Sequence, residues 1–384
     1  MSLLIENITL VTHEAEFENK WLLIEGERIS SAGRMPDVPA ADKIIDGGGK
    51  YLLPGAFEIH IHGADGVDAM DADEHFIKKI SSHLPTTGTT SFLATTMTAT
   101  FENVRASLKN LSDYKYRGGA EMLGIHQEGP FISTKHPGAQ DPKFILSPDT
   151  DEMSRLQELS NHQIRLITYA PEEDSEFAFL NALNDLDIIP SAGHTDATYQ
   201  QLEEAYRHGL RHITHLYNGM RGLHHREPGV VGYSFLGGSY VEIIADGVHS
   251  NPEMVRLAYD NITSSRMIMI TDAMRAQGLP DGEYDLGGQN VHVSGNEARL
   301  ENGALAGSVL TMKQAVKNMF EFTDCSWTDI VRMTSYNALK SLDMLDSRGL
   351  IEAGYPADLV MYDEDKSLTM TIAKGEVYYD NTKK

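Results

Sequence analysis

The chain changes its hydrophobic rhythm twice. In positions 1–53 the runs SLLIENITLVT, NKWLLIEGERISSAG and IIDGGGKYLL alternate apolar and polar residues between Gly-rich turns, with no helix-length periodic segment. That period predicts short β-strands. Positions 349–384 read the same way. Between them, apolar β-branched runs recur at 56–63 (AFEIHIHG), 89–97, 122–129, 163–171, 187–194, 212–218, 241–249 and 267–273. Most are followed by a helical pattern, such as FENVRASLKNLSDY from Phe101, TYQQLEEAYRHG from Thr198, or NPEMVRLAYDN, where Asn251 caps and Pro252 opens the first turn.

Eight such units predict an α/β fold, a (β/α)8 TIM-type barrel over 54–348, with a small β-sandwich domain formed from both termini, 1–53 and 349–384. The weak joint follows the sixth strand, where the Gly-rich GVVGYSFLGGS at 229–239 takes the place of a clear helix. A hairpin-like insertion at 282–308 precedes a last long helix expected over 308–322.

A length of 384 residues accommodates a barrel of roughly 250 residues and a smaller companion. With 32 Lys plus Arg against 56 Asp plus Glu, the net charge of -24 opposes binding to nucleic acid or anionic lipid, so an anionic ligand needs a local basic patch. The lone Cys325 forms no internal disulfide. No signal-like start and no apolar run of about 18 residues is present, which predicts a cytoplasmic protein with no membrane partner.

The barrel hypothesis places chemistry at the C-terminal ends of the strands. There the sequence sets His60 and His62 (strand one), Glu128 (three), His194 (five), His215 (six) and Asp272 (eight). Each by itself is as well explained by a turn or cap, and an HxH strand can simply pack two histidines. Together at one end they predict a site for one or two divalent ions, Zn or Fe first, with Co, Ni or Mn as alternatives. Five possible ligands fit two ions bridged by Glu128, with a water between them made nucleophilic and Asp272 moving its proton. The segment RGLHHR at 221–226 is a basic patch beside His215.

These residues resemble the metal-dependent amidohydrolase superfamily. More narrowly, HQEGPFIS (126–133), SAGHTDAT (191–198), THLYNGMRGLHHREPG (214–229), IADGVH (244–249), ITDAM (270–274) and LAGSVLTM (305–312) are similar to the N-acetylglucosamine-6-phosphate deacetylase family. The resemblance implies hydrolysis of the acetamide of a phosphorylated amino sugar, N-acetyl-D-glucosamine 6-phosphate. It implies Glu128, His194 and His215 as principal metal ligands, His60 and His62 as a second site, and Asp272 as general acid/base. Asn218, the backbone of Gly219, Arg226, His249 and Leu305 are implied as substrate contacts, and a homodimer could supply Arg226 across its interface. Gln140 stands where many members carry a substrate-touching His, and an amide can still donate there.

A cyclic amidase or deaminase on the same barrel, or a scaffold that has lost its chemistry, are the competing readings. The scaffold reading predicts missing ligands, and none is missing. His126 shares the parity of Glu128 and reads as a core or supporting residue, while His136, His224 and His225 are near the site without a compelling spacing. His75, His83, His162 and His208 read as surface or packing residues, as do Met267, Met269 and Cys325.

Overall fold

The computed structural model describes residues 2–73, 75–115, 118–174 and 176–382, so the extreme ends of the terminal β unit, 1 and 383–384, lie outside the described residues. The eight parallel strands are β1 Ala56–Ile61, β2 Thr89–Thr96, β3 Glu121–Glu128, β4 Ile164–Tyr169, β5 Ile189–Ala192, β6 His212–Ile213, β7 Tyr240–Ile244 and β8 Met267–Ile270, each paired with its successor. The sheet closes where Ile61 bridges Ala273 and the Asp272 amide donates to the His60 carbonyl at 2.9 Å. In β1, Phe57, Ile59 and Ile61 join the main apolar core, while Glu58 and His60, with His62 just past the strand's end, take the opposite parity and face inward. Each fully buried apolar side chain of this kind contributes about 1.5–3 kcal/mol.

A helix follows every strand: α1 His75–His83, α2 Phe101–Asp113, α3 Thr150–Leu159, α4 Ala178–Asp185, α5 Tyr199–Arg207, α6 Gly229–Leu236, α7 Pro252–Ile262 and α8 Met312–Phe322. Local chemistry starts several of them. Thr198 and Gln201 form a reciprocal capping box at α5, and the Asn251 side chain accepts the Glu253 amide ahead of Pro252 at α7.

The expectation of no helix after the sixth strand is corrected by α6. Its residues 229–234 are all buried, so it shows no amphipathic period, and a Cβ at Gly232 would fall 2.3 Å from the Pro228 Cβ. Glycine here permits close packing, which outweighs its poor helix propensity. The last long helix also begins later than expected, at Met312, because Ser308 instead pairs with the end of β8 through its amide to the Asp272 carbonyl at 2.7 Å.

The termini build one eight-stranded sheet from Ser2–Val11, Glu16–Glu25, Arg28–Arg34, Lys43–Asp46, Tyr51–Pro54, Leu359–Tyr362, Leu368–Ala373 and Glu376–Asp380. Tyr51–Pro54 pairs with the N-terminal strand on one side and Leu359–Tyr362 on the other, so the two ends meet on the strand that enters the barrel. Alternate residues serve two cores: Leu52 and Met361 the sheet's own, Leu53 and Val360 the barrel's. The insertion is a three-stranded antiparallel sheet, Gly282–Leu286, Gln289–Ser294 and Glu297–Leu300.

Candidate active site

A cavity of about 250 Å³ opens at the C-terminal mouth of the barrel, and of the candidate residues all but His60 and Arg226 line it: His62, Glu128, Gln140, His194, His215, Asn218, Gly219, His249, Asp272 and Leu305. His60 lies directly beneath, fully buried. Arg226 is on the surface, its guanidinium 2.7 Å from His225 Nε2, and does not reach the cavity of its own chain.

Three of these residues stand farther out than their strands. His194, His215 and Asp272 each lie two positions past the last residue of β5, β6 and β8, and each has a positive φ, of 48°, 31° and 49°. Left-handed backbone at residues other than glycine is sparsely populated and persists only where its surroundings fix it. It ends the strands early: β6 has two residues where HITHLYN suggests seven.

Glu128 joins two trios. Its Oε1 is 3.0 Å from His194 Nε2 and 3.1 Å from His215 Nε2, and these two nitrogens are 3.2 Å apart. Its Oε2 is 3.4 Å from His62 Nε2, while Asp272 Oδ1 lies 3.2 Å from His62 Nε2 and 3.5 Å from His60 Nε2. His60 Nε2 and Asp272 Oδ1 are buried with no hydrogen-bond partner. Unpartnered buried polar atoms are costly. A cation shared by converging imidazole nitrogens and carboxylate oxygens would satisfy them, and nitrogen with oxygen donors suits a borderline divalent metal. The donor sets Glu128, His194, His215 and His60, His62, Asp272 therefore both fit an ion, their ligand atoms lying within 4.8 Å of one another in each set.

Electrostatics agree with that fit. Burial by itself would lower the imidazoles, yet the carboxylates outweigh it: Asp272, Glu128 and Glu242 raise His60 to about 9, and Asp272 and Glu128 raise His62 well above its ordinary range. Burial pushes Asp272 up, but His60 and His62 hold it down at about 2. Burial acts likewise on Glu128, which contacts with His194, His215, His60 and His62 keep well below the carboxylate range.

Around the trios, His194 Nδ1–H donates to the His136 carbonyl at 2.9 Å, which aims Nε2 at Glu128. A Cβ at Gly219, where φ is 56°, would sit 3.0 Å from His194 Nδ1, and one at Gly138, also at 56°, 3.1 Å from Cε1; both positions let backbone approach the ring. Asp196 accepts from Lys135, His136 and Arg221 at 2.7, 3.2 and 2.8 Å, tying the loops after β3, β5 and β6 together. His249 Nδ1 is 2.6 Å from Asp246 Oδ2, leaving Nε2 for the cavity.

Gln140 differs from a free substrate contact. Its Oε1 accepts the Thr98 amide at 2.8 Å and its Nε2 donates to Glu128 Oε2 at 2.7 Å. His126 is a core residue as expected: Nδ1–H donates to the Ile59 carbonyl at 3.0 Å and Nε2 accepts from Thr168 Oγ1 at 2.7 Å.

Two buried carboxylates went unremarked in the sequence. Glu58 accepts the amides of His60 (3.0 Å) and Thr271 (2.9 Å), clamping β1 to β8, and burial raises it to about 7 despite those bonds. Glu242 of β7 is fully buried and touches both His60 and the His215 backbone. The available signal was a Glu inside an otherwise apolar strand, which must find partners indoors.

Comparison with known proteins supplies the lineage. The amidohydrolase family model matches residues 51–378. The chain belongs to the amidohydrolase family. It is 44% identical to the N-acetylglucosamine-6-phosphate deacetylase of Bacillus subtilis (strain 168), over 98% of this chain and 97% of that one. The crystal structure of N-acetylglucosamine-6-phosphate deacetylase from Thermotoga maritima superposes with a TM-score of 0.86 at 36% identity, covering 98% and 99% of the two chains. An aspartate-to-alanine mutant of N-acetyl-D-glucosamine-6-phosphate deacetylase from Mycobacterium smegmatis, in complex with N-acetyl-D-glucosamine-6-phosphate, superposes at 0.90 with 30% identity over 99% of each chain. This amidohydrolase is thus a hydrolase of a metal-dependent family, and it retains both donor trios. No described helix is long and apolar enough to cross a membrane.

Proposed function

We propose that this amidohydrolase removes acetate from N-acetyl-D-glucosamine 6-phosphate, giving D-glucosamine 6-phosphate. The observation that carries the reading is Asp272 Oδ1, unpartnered and facing the cavity's join of two histidine–carboxylate trios, in a chain whose full-length relatives are deacetylases of this sugar phosphate.

Glu128, His194 and His215 would hold one divalent ion, and His60 and His62 would complete a place for a second, with Zn or Fe the preferred metals. When bound, such an ion polarises the amide carbonyl and makes a water molecule acidic enough to attack at neutral pH. Asp272, whose Oδ1 faces the cavity with no hydrogen-bond partner, takes the attacking water's proton and returns it to the departing sugar amine. Asn218 and the Gly219 backbone line the sugar side of the cavity with His249. His249 Nε2 is aimed by Asp246, and Leu305 closes the apolar side. Arg226, at the surface of its own chain, serves the phosphate of a substrate in a second copy, so the working form is a homodimer.

The test is acetate release across N-acetylglucosamine, its 6-phosphate and the galacto and manno epimers of the phosphate, with metal quantified in the same preparation. The 6-phosphate of N-acetylglucosamine should dominate kcat/KM, and Arg226→Ala should abolish the preference for phosphate. Equal turnover of the unphosphorylated sugar would overturn the reading.

A further inference from the structure

The two trios meet above at Glu128, and beneath them a second carboxylate reaches one histidine of each. Glu242 Oε2 lies 3.1 Å from His60 Nδ1 and accepts the His215 amide at 3.2 Å, while Oε1 has no partner among the described residues. A carboxylate buried to zero exposure in the middle of β7 is expensive unless its bonds repay the desolvation. Its hydrogen-bond partners among the described residues are the His60 ring and the His215 amide.

We propose that Glu242 is a positioning residue for both metal trios, fixing the tautomer of His60 and the backbone of His215. Oε2 already serves as the acceptor for the His215 amide, and it accepts from His60 when that ring carries its proton on Nδ1. Its Nε2 lone pair is then presented to the space shared with Asp272 Oδ1 and Glu128 Oε1, at 3.5 and 3.6 Å. On the other side, Glu242 holds the amide of a residue whose φ of 31° needs external support. His126 cannot substitute, although its ring is 4.5 Å from that of His60, because both its nitrogens are engaged by Ile59 and Thr168. A carboxylate behind a metal-bound imidazole sets ring orientation and basicity, and its loss typically costs about 10–100-fold in metal affinity.

The inference rests on the reading that His60 holds an ion, and the experiment separates the two. Zinc affinity and stoichiometry are measured by chelator competition and elemental analysis in the full chain, for wild type, Glu242→Gln, His60→Asn and the double variant. Selective 15N-histidine NMR of the zinc-loaded protein reports which ring nitrogen of His60 is protonated. In Glu242→Gln the ion on the His60 trio should bind about 10–100-fold more weakly, and, because the glutamine oxygen can still accept the His215 amide, the double variant should be no weaker than His60→Asn for the remaining ion. The wild type should show His60 protonated at Nδ1. Wild-type affinity for both ions in Glu242→Gln, an undiminished effect of Glu242→Gln in the His60→Asn background, or a His60 protonated at Nε2 would each overturn the proposal. A wild type that holds no ion sinks the metal reading and this inference with it. Should Glu242→Gln not fold, Glu242→Asp, which keeps the charge and withdraws the oxygens, is read against the same outcomes.

Discussion

His60 and His212 are equally inaccessible, yet the barrel treats them in opposite ways. His60, on the first strand near the mouth, is raised to about 9 although burial opposes it, because Asp272, Glu128 and Glu242 surround it. His212, the first residue of β6, is lowered by burial to about 3, and neither of its ring nitrogens has a partner. Only two residues separate His212 from His215, which faces Glu128 two places past the other end of the same strand. Burial alone makes a neutral histidine. Burial among carboxylates makes a place that demands positive charge, supplied by protons or by a metal ion.

The strongest way to break this contrast is to remove a carboxylate that touches the reacting groups. Asp272→Asn should keep the ion of the Glu128, His194 and His215 set, to which it contributes no donor, and lose about 10²–10⁴-fold in kcat, the range for general acid/base groups. Near-normal turnover with intact metal would remove Asp272 from the chemistry. A smaller effect is expected one bond away. Gln140→Ala withdraws the donor from Glu128 Oε2 and should weaken metal binding about tenfold, at the lower end for outer contacts. An unchanged metal titration would show that Glu128 is held by its histidines alone.

The smallest effect sharpens the other pole. Folded His212 stays neutral down to about 3, whereas the unfolded chain takes up a proton near 6.5, so the unfolded state binds more protons between those values. The stability this group contributes above pH 6.5 is therefore lost as pH falls through that window. His212→Phe should flatten the wild-type acid slope by up to about 1.4 kcal/mol per pH unit, read by denaturant unfolding across pH 3–6.5. Parallel slopes for the two proteins would mean that His212 is not buried neutral.

Much of this was legible because strand periodicity and residue chemistry coincide. The parity of His60 and His62, the spacing of the eight apolar runs and the acid or imidazole near five of the strand ends were readable from residue chemistry and from a pleat that repeats every two residues. The sixth helix was not legible. A segment buried on all sides has no polar face to set its period, and glycine there serves close packing rather than a turn. Gln140 could be placed near the substrate, but not recognised as the residue that engages Glu128, since only the fold of the segment after β3 turns its side chain back onto the end of that strand.

By itself the sequence determined the barrel, the β unit assembled from both ends and the donor types at the mouth, because each depends on local period or on side-chain chemistry. Tertiary structure alone decided how those donors are held. His194, His215 and Asp272 occupy left-handed backbone just past their strands, and Glu58 and Glu242 clamp that backbone from strands distant in sequence. The physical reason is that a buried carboxylate has no preferred partner until closure of the barrel excludes water and leaves it only the amides and imidazole of its neighbours.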